Sequence, residues 1–251
     1  VGTYFLESCK KLTDVNLSGL KNVKVIPDNF FNNCDGLVTI DLSPLANVEE
    51  IPASFFYSCT SLANVKNLNV MTKLKYMPNN FFGECKCLLE IDLSSMGNVT
   101  RIGDDVFNAC QSLRNINLSG LINVETIGKS FLKECNSLRA VDLSSLTKLK
   151  LVGNEFLHSC QSLQDVDLSA LWNLESISDS FMENCYSLKT LKLPKTSKLT
   201  SIGNRFLEDC RVLTSLDLSS ISKVQRIGNV FLNNCYGLRN INLEALENIT
   251  Q

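Results

Sequence analysis

The sequence holds very little of the side-chain chemistry that most enzymes use. Its 251 residues include one histidine, His158, and one tryptophan. No G-x-S-x-G nucleophile motif, phosphate-binding Walker loop or H-E-x-x-H zinc motif occurs. His158 stands two residues before a cysteine, at a recurring position that elsewhere holds Glu7, Tyr57 or Lys133, so we expect it to face solvent. The sequence therefore predicts a protein with no catalytic activity and no cofactor.

Net charge and long apolar runs are also scarce. The 24 basic and 26 acidic residues give a formal net charge of -2, which provides no overall attraction to nucleic acid or to anionic lipid. No apolar run approaches the roughly 18 residues that a membrane helix needs, so we expect no direct membrane insertion. The N-terminus has no basic and apolar leader and opens on Val1, which predicts a processed protein or an excerpt of a longer chain.

What the sequence does contain is one unit that is repeated ten times. A cysteine recurs every 25 residues, with one interval of 26 residues, and identifies each unit. These cysteines are Cys9, Cys34, Cys59, Cys85, Cys110, Cys135, Cys160, Cys185, Cys210 and Cys235. A fixed period between about 20 and 50 residues is typical of a solenoid, in which each unit contacts only its neighbours. We therefore predict one continuous domain over residues 1–251.

Each unit begins with the pattern L-x-x-φ-x-L, in which φ is Val, Ile or Leu. The alternation has period two, so Val15 and Leu17 should point inward while Asn16 points outward. Stacking the units would pair these strands into a parallel sheet. The following S-x-L-x-x-V-x-x-I has an apolar residue every three positions, which predicts an irregular, 3₁₀-like or short extended path.

A glycine or proline comes next in most units, often followed by Asp or Asn, as at Asp28 and Asp104. A turn residue followed by a capping side chain predicts the start of a helix. There is room for one or two helical turns, such as residues 29–34. Phe30 and Cys34 would then share the inner face of that helix.

The aromatic residues and the cysteines follow the same period. All 13 phenylalanines lie in two adjacent positions just before the repeated cysteine, which predicts a core spine rather than an aromatic binding platform. The ten repeated cysteines predict small buried thiols. Disulfides and a metal site stay open as alternatives, although only Cys85 and Cys87 lie close together in sequence. The redox compartment therefore stays open.

Residues 131–153, FLKECNSLRAVDLSSLTKLKLVG, carry a resemblance to a known family. The pattern F-L-x-x-C-x-S-L-x-x-I-x-L with its later I-G resembles the BspA-like, or Treponema pallidum-type, leucine-rich repeat. The resemblance implies an α/β fold: a right-handed solenoid of ten coils, each of about 25 residues, with a parallel β-sheet on the concave face and short helical turns on the convex face. It also implies a surface or secreted protein associated with adhesion. This chain differs in having Phe-Leu or Phe-Phe where the family has Ala-Phe, and mostly Ser where the family has Pro after the strand.

Function should lie on the outward strand positions, which are rich in Asp and Asn. The candidate partner-binding face is formed by Glu90, Asp92, Asn117, Asp142, Asp165, Asp167, Lys192 and Asp217. One interpretation is an acidic groove that attracts a basic partner or a cation. The other is that Asp or Asn before Leu-Ser belongs to the repeat consensus and bonds to neighbouring strands and loops.

Two units depart from this pattern. The third carries an inserted residue near Lys66 and Asn67, which predicts a bulge. The eighth replaces Ser-x-Leu with Pro194, Lys195 and Thr196. These are also the units in which lysine enters the outward position.

Three functions without catalysis remain: a protein-interaction module, an adhesin for matrix or glycan, and a structural subunit of an assembly. Glycosylation sequons at Asn16, Asn98, Asn117 and Asn248 favour secretion, although N-L-S is also a product of the repeat consensus. No unit reads as a polar cap, so apolar residues such as Phe5 should be bare at the ends. We therefore also expect end-to-end association.

Overall fold

The computed structural model describes residues 2–250, so Val1 and Gln251 lie outside the described residues. The chain forms a solenoid of stacked coils that are joined by short parallel strands, with few helices. The prediction of a leucine-rich-repeat solenoid is confirmed at this level. Strands occupy eight of the ten predicted positions. No strand forms at residues 14–16, and Ala140 of the sixth unit makes only an isolated bridge.

The predicted strands form the first ladder, a row of three-residue strands. They are Thr39–Asp41, Asn64–Lys66, Glu90–Asp92, Asn115–Asn117, Asp165–Asp167, Thr190–Lys192, Ser215–Asp217 and Asn240–Asn242. The strands pair two by two, in parallel and in register, so that Thr39 lies beside Asn64. Ile40 is buried between exposed or half-buried neighbours, and the same alternation recurs in most strands. The predicted inward and outward positions are therefore confirmed.

A second ladder of two-residue strands runs along another side of the coils. Its strands are Tyr76–Met77, Arg101–Ile102, Thr126–Ile127, Leu151–Val152, Ser176–Ile177, Ser201–Ile202 and Arg226–Ile227. An isolated bridge between Val25 and Glu50 continues it toward the N-terminus. Between the two ladders lie the 3₁₀ helices Ser18–Leu20, Ser43–Leu45, Leu68–Val70 and Glu244–Asn248. The predicted 3₁₀-like or extended path thus contains both kinds of structure.

The prediction of a helix before each cysteine is wrong. Residues 29–34 and their equivalents form successive turns in which some non-glycine residues have positive φ, such as 57° at Asp105 and 56° at Ala109. Several of their N–H groups bond to a neighbouring coil, while others close short turns three residues back, as Asn108 does to Asp105. Asp105 donates to the carbonyl of Lys129, and Ala109 donates to the carbonyl of Lys133, both at 2.8 Å. We call this third set of inter-coil bonds the turn ladder.

The repeated glycine serves close packing between coils rather than a turn. No glycine among residues 2–250 has positive φ. A Cβ atom on Gly153 would lie 2.4 Å from the nitrogen of Lys129 and 2.6 Å from the carbonyl carbon of Gly128, in the preceding coil. The Asp104 side chain, which follows a glycine, accepts the N–H of Lys129 at 2.9 Å rather than capping a helix. The repeated glycine and the Asp that follows it, which predicted the start of a helix, are therefore explained by packing and hydrogen bonding between coils.

The phenylalanines form the predicted core spine. From Phe30 to Phe206 every ring is at most 1% exposed. Rings of adjacent coils stack, as Phe156 and Phe181 do with centroids 5.0 Å apart. Burial of each large aromatic side chain contributes roughly 1.5–3 kcal/mol, and the fixed period lets each ring contact the next.

The close approach at glycine predicts a sharp difference between two alanine substitutions. In Gly153→Ala, the new Cβ would overlap backbone atoms that cannot move without breaking inter-coil bonds. We expect a loss of about 1–3 kcal/mol in the free energy of unfolding, measured by urea denaturation. The matched control is Gly97→Ala, whose Cβ would meet its nearest atom at 3.8 Å. That variant should be neutral or more stable by about 0.4–1 kcal/mol. Equal losses in both variants would contradict the packing argument.

Candidate protein-binding face

The structure places the predicted face residues on the exposed side of the first ladder. All eight are exposed, and seven of them lie in its strands. Asp142 is the exception, because its coil has only the bridge at Ala140. Strand pairing sets Asp92 beside Asn117 and Asp167 beside Lys192. Their role as a binding face stays a prediction.

The outward Asp or Asn before Leu-Ser makes one recurring bond inside its own turn. One side-chain oxygen accepts the backbone N–H two residues later, at distances between 2.7 and 3.1 Å. This is the local turn that short polar side chains favour. The residues are Asn16, Asp41, Asp92, Asn117, Asp142, Asp167, Asp217 and Asn242. The repeat consensus at this position therefore has a structural role, made within each turn.

These turn bonds also favour the charged form of the carboxylates. Hydrogen bonds from the Ser144 hydroxyl and N–H lower the pKa of Asp142, and the Ser219 N–H and hydroxyl do the same for the pKa of Asp217. Partial burial opposes ionisation of Asp167, but bonds from Ser169 and Lys192 outweigh it and lower its pKa. These side chains are therefore anions at neutral pH.

The two irregular units depart from the regular acidic face in different ways. Lys192 pairs with Asp167 on the preceding strand, with Nζ 3.0 Å from Oδ2. In the third unit the inserted position falls at Asn67, which adopts φ of 59°. Its amide donates to Oδ1 of Asp41 at 2.8 Å. The eighth unit therefore interrupts the acidic face, while the third bonds back to the strand before it.

The prediction that the His158 column faces solvent is wrong. The His158 side chain is only 15% exposed, and that of Glu183, one coil later, is 12% exposed. Their Nδ1 and Oε2 atoms lie 3.5 Å apart. Arg205 lies 3.7 Å from Glu183, and Lys133 pairs with Glu155 at 2.9 Å. Stacking thus turns an outward position into a half-buried charged column, because each side chain covers the next.

The repeated cysteines form a ladder of thiol hydrogen bonds. Each Sγ from Cys34 to Cys235 donates to a backbone carbonyl of the preceding coil, as Cys160 does to Leu132 at 3.0 Å. Eight thiols are buried, Cys9 and Cys235 are half-buried, and Cys87 is exposed. All eleven are free thiols in this structure. Burial raises the pKa of Cys160 to about 12. The thiols therefore act as neutral donors that also fill the core.

A shallow groove over the second ladder was not predicted from the sequence. Tyr76, Arg101, Thr126 and Leu151 help to line a cavity of about 400 Å³ there. The guanidinium of Arg101 lies 5.7 Å from the centroid of the Tyr76 ring. Two-residue strands leave too short a pattern for the sequence to reveal this surface.

Among residues 2–250, no three His, Cys, Asp or Glu side chains are grouped so that they could hold a metal ion. Within the same described range, no helix has the length and apolar character that crossing a membrane requires.

Comparison with known proteins defines the class of this solenoid. The family described as BspA type leucine-rich repeat region matches residues 1–139, 75–198 and 152–251, with six copies. Because these matches span the whole chain, the chain belongs to the BspA type leucine-rich repeat family. A search of curated proteins returned no match.

Solved structures support the fold. A leucine-rich repeat protein from Bacteroides ovatus aligns with a TM-score of 0.56 and 22% identity, over 95% of this chain and 71% of that one. The T. pallidum leucine-rich repeat protein aligns with a TM-score of 0.50 and 20% identity, over 86% of this chain and 77% of that one. At these identities the likeness concerns the fold alone.

The burial of the thiols predicts their reactivity. With an aromatic disulfide reagent in native conditions, we expect Cys87 to react fast and the eight buried thiols to stay unreactive until the chain unfolds. The control is Cys87→Ser, which should remove the fast phase and leave the unfolding midpoint unchanged. Fast reaction of several thiols in the native Cys87→Ser variant would contradict the buried ladder.

The buried position of His158 predicts a pH-dependent stability. Burial lowers its pKa in the folded state, although Glu183 and Glu155 favour the charged form and Lys133 disfavours it. The unfolded chain keeps a pKa of about 6.5 and therefore binds more protons below that pH. Stability should fall as pH drops through about 6.5 toward the lower folded-state pKa.

His158→Gln isolates this effect, because the chain has no other histidine. Urea denaturation at several pH values should give a flatter dependence between about pH 7.5 and 5.5 in this variant than in the wild type. Parallel curves for the two proteins would show that burial does not perturb His158.

Proposed function

We propose that this chain is a protein-interaction module without catalytic activity, and that a basic protein docks on the outward face of the first ladder. We take this face to be the concave side of the solenoid, with all 251 residues forming one domain. The observation that carries the proposal is that the face holds carboxylates which the fold does not require.

The turn bond explains an oxygen at the outward position but not a negative charge. Asn16, Asn117 and Asn242 make the same bond through an amide oxygen. Asp142 and Asp217 therefore carry charges that the turn could form without. A charge with no structural need supports a role in binding.

A second outward column adds carboxylates that make no such turn bond. Glu90 and Asp165 stand two residues before Asp92 and Asp167 on the same strands. Adjacent strands lie about 5 Å apart, and like charges at that distance in high dielectric repel by under about 1 kcal/mol. The fold tolerates this repulsion, and a basic partner would relieve it.

The arrangement suits a protein partner rather than a small substrate. Extended repeat surfaces bind by presenting many side chains on rigid strands. Complementary charge would steer the encounter and fix the register of the partner. The pair between Lys192 and Asp167 would interrupt the acidic part of the face before Asp217.

Replacing Asp142, Asp165 and Asp167 by Asn should weaken binding while preserving the fold. Asn can still accept the turn bonds at positions 142 and 167, as Asn117 does, so the change removes charge and, at position 167, the ion pair with Lys192. With decalysine as an electrostatic probe, we expect about tenfold weaker binding at low salt. The slope of affinity against salt should also be flatter. Isothermal titration at several salt concentrations measures both quantities.

The control carries the same charge change beside the second ladder, in Glu49→Gln, Glu125→Gln and Glu175→Gln. It should bind decalysine nearly as the wild type does, since these residues lead into the second ladder. Equal weakening by both triple variants would show that net charge alone matters, and the proposed face would then be abandoned. Unfolding curves should match for the Asn variant and the wild type.

A surface adhesin is the second candidate, and a specific observation favours it. The four sequon asparagines, Asn16, Asn98, Asn117 and Asn248, are all exposed, as glycan attachment in a secreted protein requires. Localisation at the cell surface is part of this second proposal, and the family resemblance supports it. Glycan occupancy measured by mass spectrometry separates this candidate from an intracellular module.

End-to-end association is a further proposal, for a role as a subunit of an assembly. Near the N-terminus Phe5 is 58% exposed, and near the C-terminus Leu243 is 50% exposed. The equivalent residues Phe156 and Leu168 in the middle of the chain are fully buried. These apolar side chains support contact between copies or with a partner chain.

A further inference from the structure

The fifth, sixth and seventh coils line a polar cavity at the edge of the first ladder, beside the acidic face. Its volume is about 540 Å³. It is lined by Arg114, Asn115, Ser137, Arg139, Ala140 and Ser162. These residues come from positions that are close only because the coils stack.

The row of backbone hydrogen bonds between coils is interrupted at this cavity. Arg114 donates its N–H to the carbonyl of Leu89 at 2.9 Å, and Gln164 donates to the carbonyl of Arg139 at 3.1 Å. The equivalent bond from Arg139 to Arg114 is missing, as is the corresponding bond from Thr214 to Lys189 three coils later, and within residues 2–250 the N–H of Arg139 has no backbone acceptor. Ala140 provides no polar side chain at a position that holds Asn or Asp in the flanking coils. The result is an open space with a free backbone donor.

Two guanidinium groups border this space without a partner in the protein. Arg114 and Arg139 are both exposed, and neither forms an ion pair within the described chain. Two carboxylates flank the site along the ladder, Glu90 beside Asn115 and Asp165 beside Ala140. Asp165 accepts a hydrogen bond from Thr190 of the following coil. The arginines are therefore available to a ligand.

We propose that this cavity, the Arg114–Arg139 site, binds a phosphate or sulfate monoester. Guanidinium groups match the oxygens of phosphate in bidentate pairs. The hydroxyls of Ser137 and Ser162, the amide of Asn115 and the free N–H of Arg139 add donors beside the two arginines. This number of donors exceeds what a carboxylate can use. The volume of about 540 Å³ leaves room for the group that carries the ester, which favours a monoester over the free ion.

The site is independent of the proposed protein-binding function. It uses basic side chains at the edge of the first ladder, whereas the proposed partner face uses carboxylates. Loss of the acidic side chains in the triple Asn variant should leave anion binding intact or strengthen it. Failure of one proposal can therefore be distinguished from failure of the other.

The test is titration of the full chain with four probes: inorganic phosphate, inorganic sulfate, glucose 6-phosphate and acetate. Binding is followed by isothermal titration and by the NMR shift of the Arg139 amide. We expect glucose 6-phosphate to bind at least as tightly as either inorganic ion, and acetate to bind more weakly. Arg114→Gln and Arg139→Gln should each weaken phosphate and sugar-phosphate binding by about tenfold or more.

The matched control is Arg239→Gln, which removes the same charge from the same position of the last unit, away from the cavity. It should leave the affinity unchanged. Equal weakening by this control, or acetate binding as tightly as glucose 6-phosphate, would overturn the proposal. Absence of a shift at the Arg139 amide would also overturn it. Both test arginines are exposed, so unfolding curves like those of the wild type are expected.

Discussion

Hydrogen bonding between coils is the constraint on which this structure depends. A single coil has only turns and short 3₁₀ segments of its own, in which N–H groups such as those of Leu163 and Leu171 bond three residues back. Many of its other backbone groups find their partners one repeat away. The first ladder, the second ladder and the turn ladder all run between coils. Because unpaired backbone groups are costly when buried, every coil must keep the same path as its neighbour. The thiol ladder extends this rule to side chains, since each repeated cysteine from Cys34 onward donates to the coil before it.

The sequence predicts those parts of the fold that apolar periodicity specifies. The alternation around Ile40 predicted the first ladder, and the shared period of the phenylalanines predicted the buried spine. The predicted helix failed because Phe30 and Cys34 can share an inner face in an extended series of turns as well as in a helix. Asn and Asp tolerate positive φ and adopt it at Asn29 and Asn33, but Leu132 and Glu155 adopt it too. Residue type alone therefore gives only a partial signal for the turn ladder.

The candidate site was predictable in position but not in its bonding. The outward column was predictable from the strand pattern, yet the hydrogen bond that the Ser144 N–H donates to Asp142 requires the observed turn. Burial of His158 and Glu183 could not be read from either residue. This burial arises because side chains 25 residues apart cover one another. The residue type at one position does not reveal such contacts. The Arg114–Arg139 site has the same origin.

In a repeat protein, specificity must come from residues that the ladders leave free to vary. Gly153, Phe156 and Cys160 are dictated by stacking, so they carry no information about a ligand. The units that depart from the repeat do carry such information. Asn67 bonds back to the preceding strand, Ala140 opens a cavity, and each lies where a regular repeat would have continued a ladder. A regular coil satisfies its own backbone groups through its neighbours and so offers a ligand only side chains. An interrupted coil also offers free backbone donors and space, which makes the departures from the repeat the first places at which to look for binding.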